Sequence, residues 1–356
     1  MTITLDGTLG ITTPGLTTPK VDLGSTTTSS LGAGNSSIMK NRIINGAMVI
    51  DQRNAGAAVG TSINGYTVDR WALYANPTGK VNGGQNYNSV TPPAGFTNYL
   101  GFQSQSAYTI GASEYVLIRQ NIEGFNTADL AWGTANAKTV TLSFWVYSSL
   151  TGTFGGSLFN PNQGTTVCYP FSYSISSANT WQQISVTIAG PTSGTFGTSN
   201  SGGVGVTFSL ASGSSVSGTA GAWVTANYYS ATGATSVVGT NGATFYITGV
   251  QLEVGTSATG FEYVNYQTLL ANCQRYYENS NGSGGTISSA DAYVVTASST
   301  QFATFTYKVG KRIAPTMTYS FAGGTGATFA ISNGSFYQSA AHSVASTFGW
   351  TASAEL

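Results

Sequence analysis

The chain has 356 residues, of which 12% are aromatic and only 7% are charged, and its 12 basic residues are balanced by 12 acidic ones. This length is enough for two globular domains, and the lack of a basic stripe predicts no nucleic-acid partner. No stretch reaches the roughly 18 apolar residues of a membrane-spanning helix, and the first residues lack the basic start and apolar run of a secretory signal, so we predict no membrane insertion.

Residues 1–40 form a low-complexity segment rich in Thr, Gly, Ser and Pro, with isolated apolar residues at Ile3, Leu5, Leu9 and Ile11. Such a segment cannot bury a core of its own, because its apolar surface is too small to offset the loss of chain entropy. We therefore predict an extended N-terminal segment that gains order by attaching to a partner or by interlocking protomers.

Residues 41–265 contain repeated short runs in which apolar and polar residues alternate, as they do in half-buried strands. The apolar members of three such runs are Val140, Leu142, Phe144 and Val146; Ile184, Val186 and Ile188; and Val204, Val206, Phe208 and Leu210. Turns rich in Gly, Ser, Thr and Asn separate the runs at the intervals of a β-sandwich. This alternation argues against disorder, which the 46 glycines alone would favour. The region is predicted to be all-β.

Charge is almost absent from the second half of this region. No Asp, Glu, Lys or Arg occurs between Lys138 and Glu253, and a second uncharged stretch runs from Ile313 to Ala354. Uncharged polar groups cost less to bury than charges do. These stretches therefore suit faces that are covered by other subunits or that meet neutral sugars.

The stretch from Phe245 to Glu278 combines a strand, a turn and a helix. Its first ten residues alternate, which predicts a strand with one shared face for Tyr246, Thr248, Val250, Leu252 and Val254. Leu269, Leu270, Cys273 and Tyr277 then recur at helical spacing, which predicts a helix over 266–278. A linker to residue 285 leads into a smaller β-domain, 286–356.

Seven segments carry a resemblance to a known class of protein. In chain order they are NRIINGAMVID (41–51) with Gln52 and Arg53, GYTVDRW (65–71), RQNIE (119–123), VTLSFWV (140–146), WQQI (181–184), the stretch 245–278, and FTYKVGKRIAPTMT (305–318). The ordered set resembles bacteriophage tail-fibre and related virion surface proteins with a carbohydrate-binding-type jelly roll. The first two segments are expected to be strands.

This resemblance implies a jelly-roll β-sandwich over 41–265 and a homotrimer assembled in a bacterial cytoplasm and carried on the virion. It also implies that residues 1–40 attach to other virion proteins and that the chain adheres to a host-surface glycan. A head fibre, a capsid-decorating protein or a fibre adaptor without a receptor role is the alternative. The C-terminal region is expected at the far end.

Aromatic residues are the best candidates for a glycan site, because sugar rings stack on exposed Trp and Tyr while hydroxyls and amides make polar contacts. Trp71 and Trp181 are predicted to pack in the core. The glycan-binding candidates are Trp223, Tyr228 and Tyr229; Trp145 and Tyr147; and Phe336, Tyr337 and Trp350.

Catalytic and metal sites have little support in the sequence. The single histidine, His342, has small neighbours and no nucleophile elbow near it. Three carboxylate pairs could serve a polysaccharide depolymerase, but each is better explained as scaffold: Glu114 with Glu123, Glu253 with Glu262, and Asp51 with Asp69. Cys168 and Cys273 have no metal-binding spacing and are predicted to be reduced and buried. We expect no enzyme activity, no cofactor and no metal ion.

Overall fold

The computed structural model describes residues 4–6, 10–12, 39–62, 64–161, 164–280, 300–322, 325–341 and 347–356. Strands dominate these residues, and most of them belong to a jelly-roll β-sandwich followed by a smaller C-terminal β-domain. Apart from a hairpin of β1 (Thr4–Asp6) and β2 (Gly10–Thr12), residues 1–38 lie outside the described part, and with them most of the predicted N-terminal segment.

Two sheets face each other in the sandwich. The seven-stranded sheet has the order β14-β10-β9-β12-β7-β4-β3, and the five-stranded sheet has the order β11-β8-β16-β6-β5. The chain repeatedly crosses from one sheet to the other, as in a jelly roll. The strand bounds are β3 Gly65–Val68, β4 Trp71–Asn76, β5 Val81–Gln85, β6 Leu100–Ser104, β7 Tyr115–Glu123, β8 Val140–Ser148, β9 Gly152–Phe159, β10 Val167–Ile175, β11 Gln182–Ile188, β12 Gly202–Ser212, β13 Ser217–Gly218, β14 Val224–Thr225, β15 Ser230–Ala231 and β16 Thr244–Val254.

The core lies between the sheets and follows the predicted alternation. On β8, the four apolar residues Val140, Leu142, Phe144 and Val146 are fully buried. Phe144 packs edge-on against Phe208 of β12, with the ring centres 4.9 Å apart. The intervening residues of β8 point to the outer face of the five-stranded sheet, which is where a binding surface could form.

The predicted strand over 41–51 is absent, and this segment runs as turns and irregular chain. Asn45 and Met48 adopt positive φ values of 58° and 57°, which interrupt an extended backbone. The Gln120 side chain accepts a hydrogen bond from the Ile44 N–H at 2.9 Å and donates to the Ile44 carbonyl at 2.8 Å. The Gln120 side chain thus makes the backbone hydrogen bonds that a neighbouring strand would otherwise have made. By contrast, strands are present in 65–71, as predicted, on either side of a tight turn: Gly65–Val68 is β3, Asp69 and Arg70 form the turn, and Trp71 begins β4.

Two further expectations for 245–278 are wrong in detail. A bulge at Gly249 (φ 61°) shifts the register of β16, so that Tyr246 faces outward while Leu252 faces the core. The helix, α1, spans Tyr266–Gln274, and Asn265 caps it by accepting a hydrogen bond from the Gln267 N–H. Tyr277, predicted on the helix, instead lies in a strand, because the chain after α1 pairs with a distant strand of the C-terminal domain.

The C-terminal domain contains two three-stranded sheets with the orders β17-β22-β19 and β18-β21-β20. The bounds are β17 Tyr277–Asn279, β18 Thr300–Thr306, β19 Thr316–Ala322, β20 Thr325–Ile331, β21 Ser335–Ala341 and β22 Thr347–Ser353. Its described core consists of Tyr307, Phe336, Trp350 and Ala352.

Largely buried ion pairs cluster where the sandwich meets the C-terminal domain. We call their members the seam: Arg53, Arg70, Glu123, Arg275, Glu278, Lys311 and Glu355. Glu355 accepts hydrogen bonds from both Arg53, at 2.6 Å, and Arg70. Lys311 and Glu278 pair at 2.6 Å with almost no exposure of either side chain. The seam fixes the C-terminal domain against β7, α1 and the β3–β4 turn.

Glu123 of the seam accepts three hydrogen bonds from side chains. Arg275 donates to both of its oxygens, at 2.8 and 2.5 Å, and the Tyr276 hydroxyl donates at 2.7 Å. Although burial opposes ionisation, these hydrogen bonds hold the pKa of Glu123 below its usual value. As predicted, Glu123 makes intramolecular polar contacts.

Candidate functional site

The outer side of the five-stranded sheet carries a cluster of rings, which we call the aromatic face. Its members are Tyr99, Trp145, Tyr147, Trp181 and Tyr246. Tyr147 of β8 and Tyr246 of β16 are directly opposite each other in the register, and their ring centres are 5.3 Å apart. Strand pairing therefore builds the centre of this face.

Trp181 and Tyr99 complete a closed set of four contacting aromatic side chains with Tyr147 and Tyr246. Trp181 lies 5.5 Å from Tyr147 and 5.8 Å from Tyr99, and Tyr99 lies 5.3 Å from Tyr246, all measured between ring centres. Tyr99 and Tyr246 are buried at the base, whereas Tyr147 and Trp181 are half-buried above them. The face thus presents two partly exposed rings on a buried aromatic support.

Backbone contacts fix the orientation of these rings. The Trp181 indole N–H donates to the Thr91 carbonyl at 2.8 Å, and the Tyr99 hydroxyl donates to the Tyr87 carbonyl at 2.8 Å. Gly101 lies directly below Tyr246, and a Cβ atom at this position would approach the Tyr246 ring to 2.5 Å. A side chain at 101 would displace the ring, so glycine is needed here for close approach.

A second group of rings lies beside Trp145. Phe96, Phe261 and Tyr263 pack together with centre-to-centre distances of 5.1 to 5.9 Å, and the Tyr263 hydroxyl donates to the Gly95 carbonyl. Tyr263 is 65% exposed. This group extends the aromatic surface beyond the edge of the strands.

No charged residue occurs in the four segments that build the aromatic face, which are 81–104, 140–148, 181–188 and 244–252. Desolvation raises the pKa of Tyr99 and of Tyr147, so both hydroxyls stay neutral and can donate hydrogen bonds. Rings with neutral donors and acceptors are the chemistry that stacks on and hydrogen-bonds to neutral sugars.

The sequence predicted only part of this face. Trp145 and Tyr147 are on the outer face, opposite the core residue Phe144, as their alternation indicated. Trp71 is fully buried, as predicted, but Trp181 is on the outer surface and not in the core. It precedes an edge strand, so no second layer covers it. Tyr99 and Tyr246 were missed as members, because the bulge in β16 and the course of the 86–99 loop decide their contacts.

The candidates at 223–229 are divided among different surroundings. Trp223 packs edge-on against Trp132 and Phe196 at the margin of the core, and its indole N–H donates to the Ala189 carbonyl. Tyr228 covers Gly218, whereas Tyr229 packs against Tyr115 on the outer face of the seven-stranded sheet. These three residues therefore do not form one site.

Two of the C-terminal candidates, Phe336 and Trp350, are buried, whereas a side chain that binds a glycan must be exposed. Phe336 and Trp350 are 1% and 7% exposed, with ring centres 5.2 Å apart in the core of the C-terminal domain. They pack with Tyr307 and Ala352 in the described core of this domain. The side chain of Tyr337 and the whole of His342 lie outside the described residues.

The acidic residues of the proposed carboxylate pairs all have structural partners. Glu253 accepts hydrogen bonds from the Thr259 N–H and hydroxyl at 2.8 and 2.6 Å, and Glu114 accepts from Tyr108 and the Gly111 N–H. Asp51 caps a turn by accepting from the Asn54 and Gly56 N–H groups. Each carboxylate is oriented by scaffold contacts.

The described acidic residues and cysteines form neither a metal site nor a disulfide. Among the described residues, no group of three or more His, Cys, Asp or Glu side chains is placed to hold a metal ion. Cys168 and Cys273 are free and buried, as predicted, and burial raises the pKa of both thiols. In the described part of the chain, no helix has the length and apolar character needed to cross a membrane.

One pocket of about 270 Å³ lies between the 39–49 segment and α1. Arg42 and Arg275 line it, but carboxylates neutralise both guanidinium groups. Three exposed apolar side chains line it: Met39, Tyr263 and Val264. Such a concentration is typical of a surface that contacts another protein.

No family model matches the sequence, and no curated protein is similar to it. Among solved structures, the enzymatically active domain of tailspike protein 4 from bacteriophage CBA120 aligns with 60% of this chain at 14% identity and a TM-score of 0.35, and the alignment spans 21% of that chain. The N-terminal cellulose-binding domain of β-1,4-glucanase C from Cellulomonas fimi aligns with 58% of this chain and 99% of its own, at 13% identity and a TM-score of 0.28. The tandem CBM22 domains of Xyn10C from Paenibacillus barcinonensis align with 53% of this chain and 46% of their own, at 17% identity and a TM-score of 0.30. Likeness at this level says nothing about ligand or activity.

Proposed function

We propose that this chain is a virion surface protein, a phage tail fibre or receptor-binding protein, that adheres to a host-surface glycan without catalysis. The observation that carries the proposal is the aromatic face, where two half-buried rings stand on a buried aromatic support in an uncharged surround. The ordered segments that resemble tail-fibre proteins support the virion assignment.

Adhesion by this face would be weak at each site and strong in the assembled particle. Stacking and neutral hydrogen bonds give single-site dissociation constants of roughly millimolar to micromolar, which several copies raise into useful avidity. Because no charged group takes part, binding should change little with salt concentration.

A glycan array and a matched pair of variants test the binding site. Trp181→Ala removes one of the two accessible rings and should weaken glycan binding about tenfold. Phe125→Ala removes a ring that is 60% exposed outside the aromatic face and should leave binding unchanged. Equal binding by both variants and the wild type would remove the aromatic face from the proposal. Release of reducing ends from host polysaccharide would identify an enzyme instead.

The location on the particle needs a separate test. Electron microscopy of virions labelled with an antibody to this chain should show label on tail fibres or their tips. Label on the head would favour the alternative of a head fibre or decorating protein, and unlabelled particles would contradict a virion role.

Self-association is proposed to involve the apolar side chains around the pocket, with a second copy of this chain as the occupant, and a trimer as the final state. Met39, which lies within the segment 1–40, is one of the residues that line the pocket. Light scattering should give a multiple of the 36.7 kDa chain mass. Val264→Ser should weaken assembly, and a stable wild-type monomer would contradict it.

The segment 1–40 is proposed to attach the protein to other virion proteins. Its removal should leave a folded β-protein that no longer incorporates into particles. Normal incorporation of the shortened chain would assign attachment to another part of the molecule.

A further inference from the structure

The outer face of the seven-stranded sheet contains a cation that has no anionic partner in the described part of the chain. Five of the six arginines donate hydrogen bonds to a carboxylate or a backbone carbonyl: Arg42, Arg53, Arg70, Arg275 and Arg312. Arg119 of β7 has no such acceptor among the described residues, and its buried Nε atom has no hydrogen-bond partner there.

Aromatic rings surround this arginine. The Arg119 guanidinium carbon lies 4.7 Å from the ring centres of Tyr74 and Phe159 and 5.2 Å from that of Tyr229. Tyr229 in turn packs edge-on against Tyr115, at 4.9 Å. We call these five residues the Arg119 site; its three tyrosines and the arginine itself are half-buried, so the site is reached from the surface.

The strand register builds this site. Arg119 pairs with Ala72 on one side and with Thr207 on the other, so small neighbours leave room above the guanidinium. Phe159 reaches Arg119 by lying across Gly205, where a Cβ atom would approach its ring to 2.2 Å. The Thr207 hydroxyl donates to the Tyr229 carbonyl at 3.1 Å and holds that residue over the sheet.

The positive charge of Arg119 is not neutralised by any group in the described part of the site. Burial lowers the pKa of Arg119, and the nearby tyrosines offset this effect only in part. Cation–π contacts stabilise the guanidinium less than a carboxylate would. A planar guanidinium group is suited to bidentate binding of a carboxylate, and the adjoining rings are suited to the apolar face of a sugar.

We propose that the Arg119 site binds an acidic sugar residue, with its carboxylate on the Arg119 guanidinium and its ring face on the surrounding tyrosines. The inference deepens the proposed glycan-binding function and rests on it, but it concerns a different surface from the aromatic face. It also departs from the neutral recognition that the composition of the chain suggests.

The test compares methyl glucuronide with methyl glucoside, two ligands that differ by a carboxylate. Titration of the full chain should detect methyl glucuronide at least tenfold more tightly than the glucoside, with binding that weakens as salt is added. Arg119→Met should abolish the difference. Lys80→Met, which removes a cation stacked 3.9 Å from the Tyr108 ring elsewhere, should preserve it.

Three results would overturn the inference. They are equal binding of the two glycosides, equal binding of inorganic phosphate, which would make the site a general anion site, and a changed oligomer mass in Arg119→Met, which would place Arg119 at a subunit contact. An unaltered circular dichroism spectrum of Arg119→Met establishes that the variant is folded. Neutral glycan binding that is sensitive to Trp181→Ala, measured in the same preparations, reports separately on the proposed function.

Discussion

The seam and the aromatic face use opposite chemistry. Of the six ion pairs within the described residues, four belong to the seam, where they are largely buried. The aromatic face is built from segments that contain no charge at all. Buried ion pairs thus lie where the two domains meet, whereas the rings of the aromatic face have an uncharged surround. Breaking one partner of a buried pair is costly, whereas truncating a surface ring is not.

Removal of the shared acceptor in the seam should have the largest effect. Glu355→Ala leaves two buried guanidinium groups, those of Arg53 and Arg70, without their carboxylate. We expect a loss of about 3–5 kcal/mol in the free energy of unfolding, measured by urea denaturation. Lys138→Ala breaks an exposed pair with Asp129 and should cost no more than about 1 kcal/mol. Equal losses would refute the contrast between seam and surface.

The pair of Lys311 and Glu278 tests whether the cost of breaking a pair in the seam comes from the charge that is left buried without a partner. Lys311→Met should cost about 3 kcal/mol, because Glu278 is then buried without its cation. The double variant Lys311→Met, Glu278→Gln should recover most of that loss, since neither charge then needs a partner. If the double variant is no more stable than the single one, the two side chains do not act as a pair.

Asp69 should make the stability of this region depend on pH. It is fully buried, and desolvation raises its pKa to about 6, although Arg53 opposes this effect. Because the folded pKa lies above the ordinary value of 3.8, the contribution of Asp69 to stability is largest below that pH and falls as pH rises to about 6. Asp69→Asn removes this slope.

The stability of Asp69→Asn relative to the wild type should therefore rise between about pH 4 and pH 7, by up to about 3 kcal/mol. Urea unfolding of both proteins across this range measures the difference, and the pH dependence of Glu123 cancels because it is common to both. Parallel profiles for the two proteins would show that Asp69 titrates near its ordinary value.

A smaller effect on stability than in the seam is expected at the aromatic face. Trp181→Ala should cost about 1–2 kcal/mol, since the ring is only half-buried, even though it weakens glycan binding. Trp350→Ala, by contrast, should cost about 3–5 kcal/mol through the cavity left in the C-terminal core. Thermal unfolding of the two variants compares them directly, and a larger loss for Trp181→Ala would contradict the assignment of this ring to the surface.

The alternation of apolar and polar residues was sufficient to predict the class of fold. The alternation around Phe144 and around Phe208 predicted strands that the structure contains, with their apolar residues in the core between the two sheets. It also placed Trp145 and Tyr147 on the outer face, because successive side chains of a strand point to opposite sides.

Contacts between distant parts of the chain decided the rest. The segment 41–51 has the composition of a strand, but Gln120 takes the hydrogen bonds that a neighbouring strand would have made. Tyr277 has helical spacing, yet pairing with β22 draws it into a strand.

The candidate site shows the same division. The sequence by itself determined an all-β chain with neutral aromatic strands, because alternation and composition are local properties. Only the tertiary structure decided that Trp181 is on the surface, that Trp350 is buried and that Arg119 has rings and no carboxylate beside it within the described ranges. The physical reason is that exposure and charge pairing depend on which distant segments cover a side chain. The sequence of a single strand does not specify those segments.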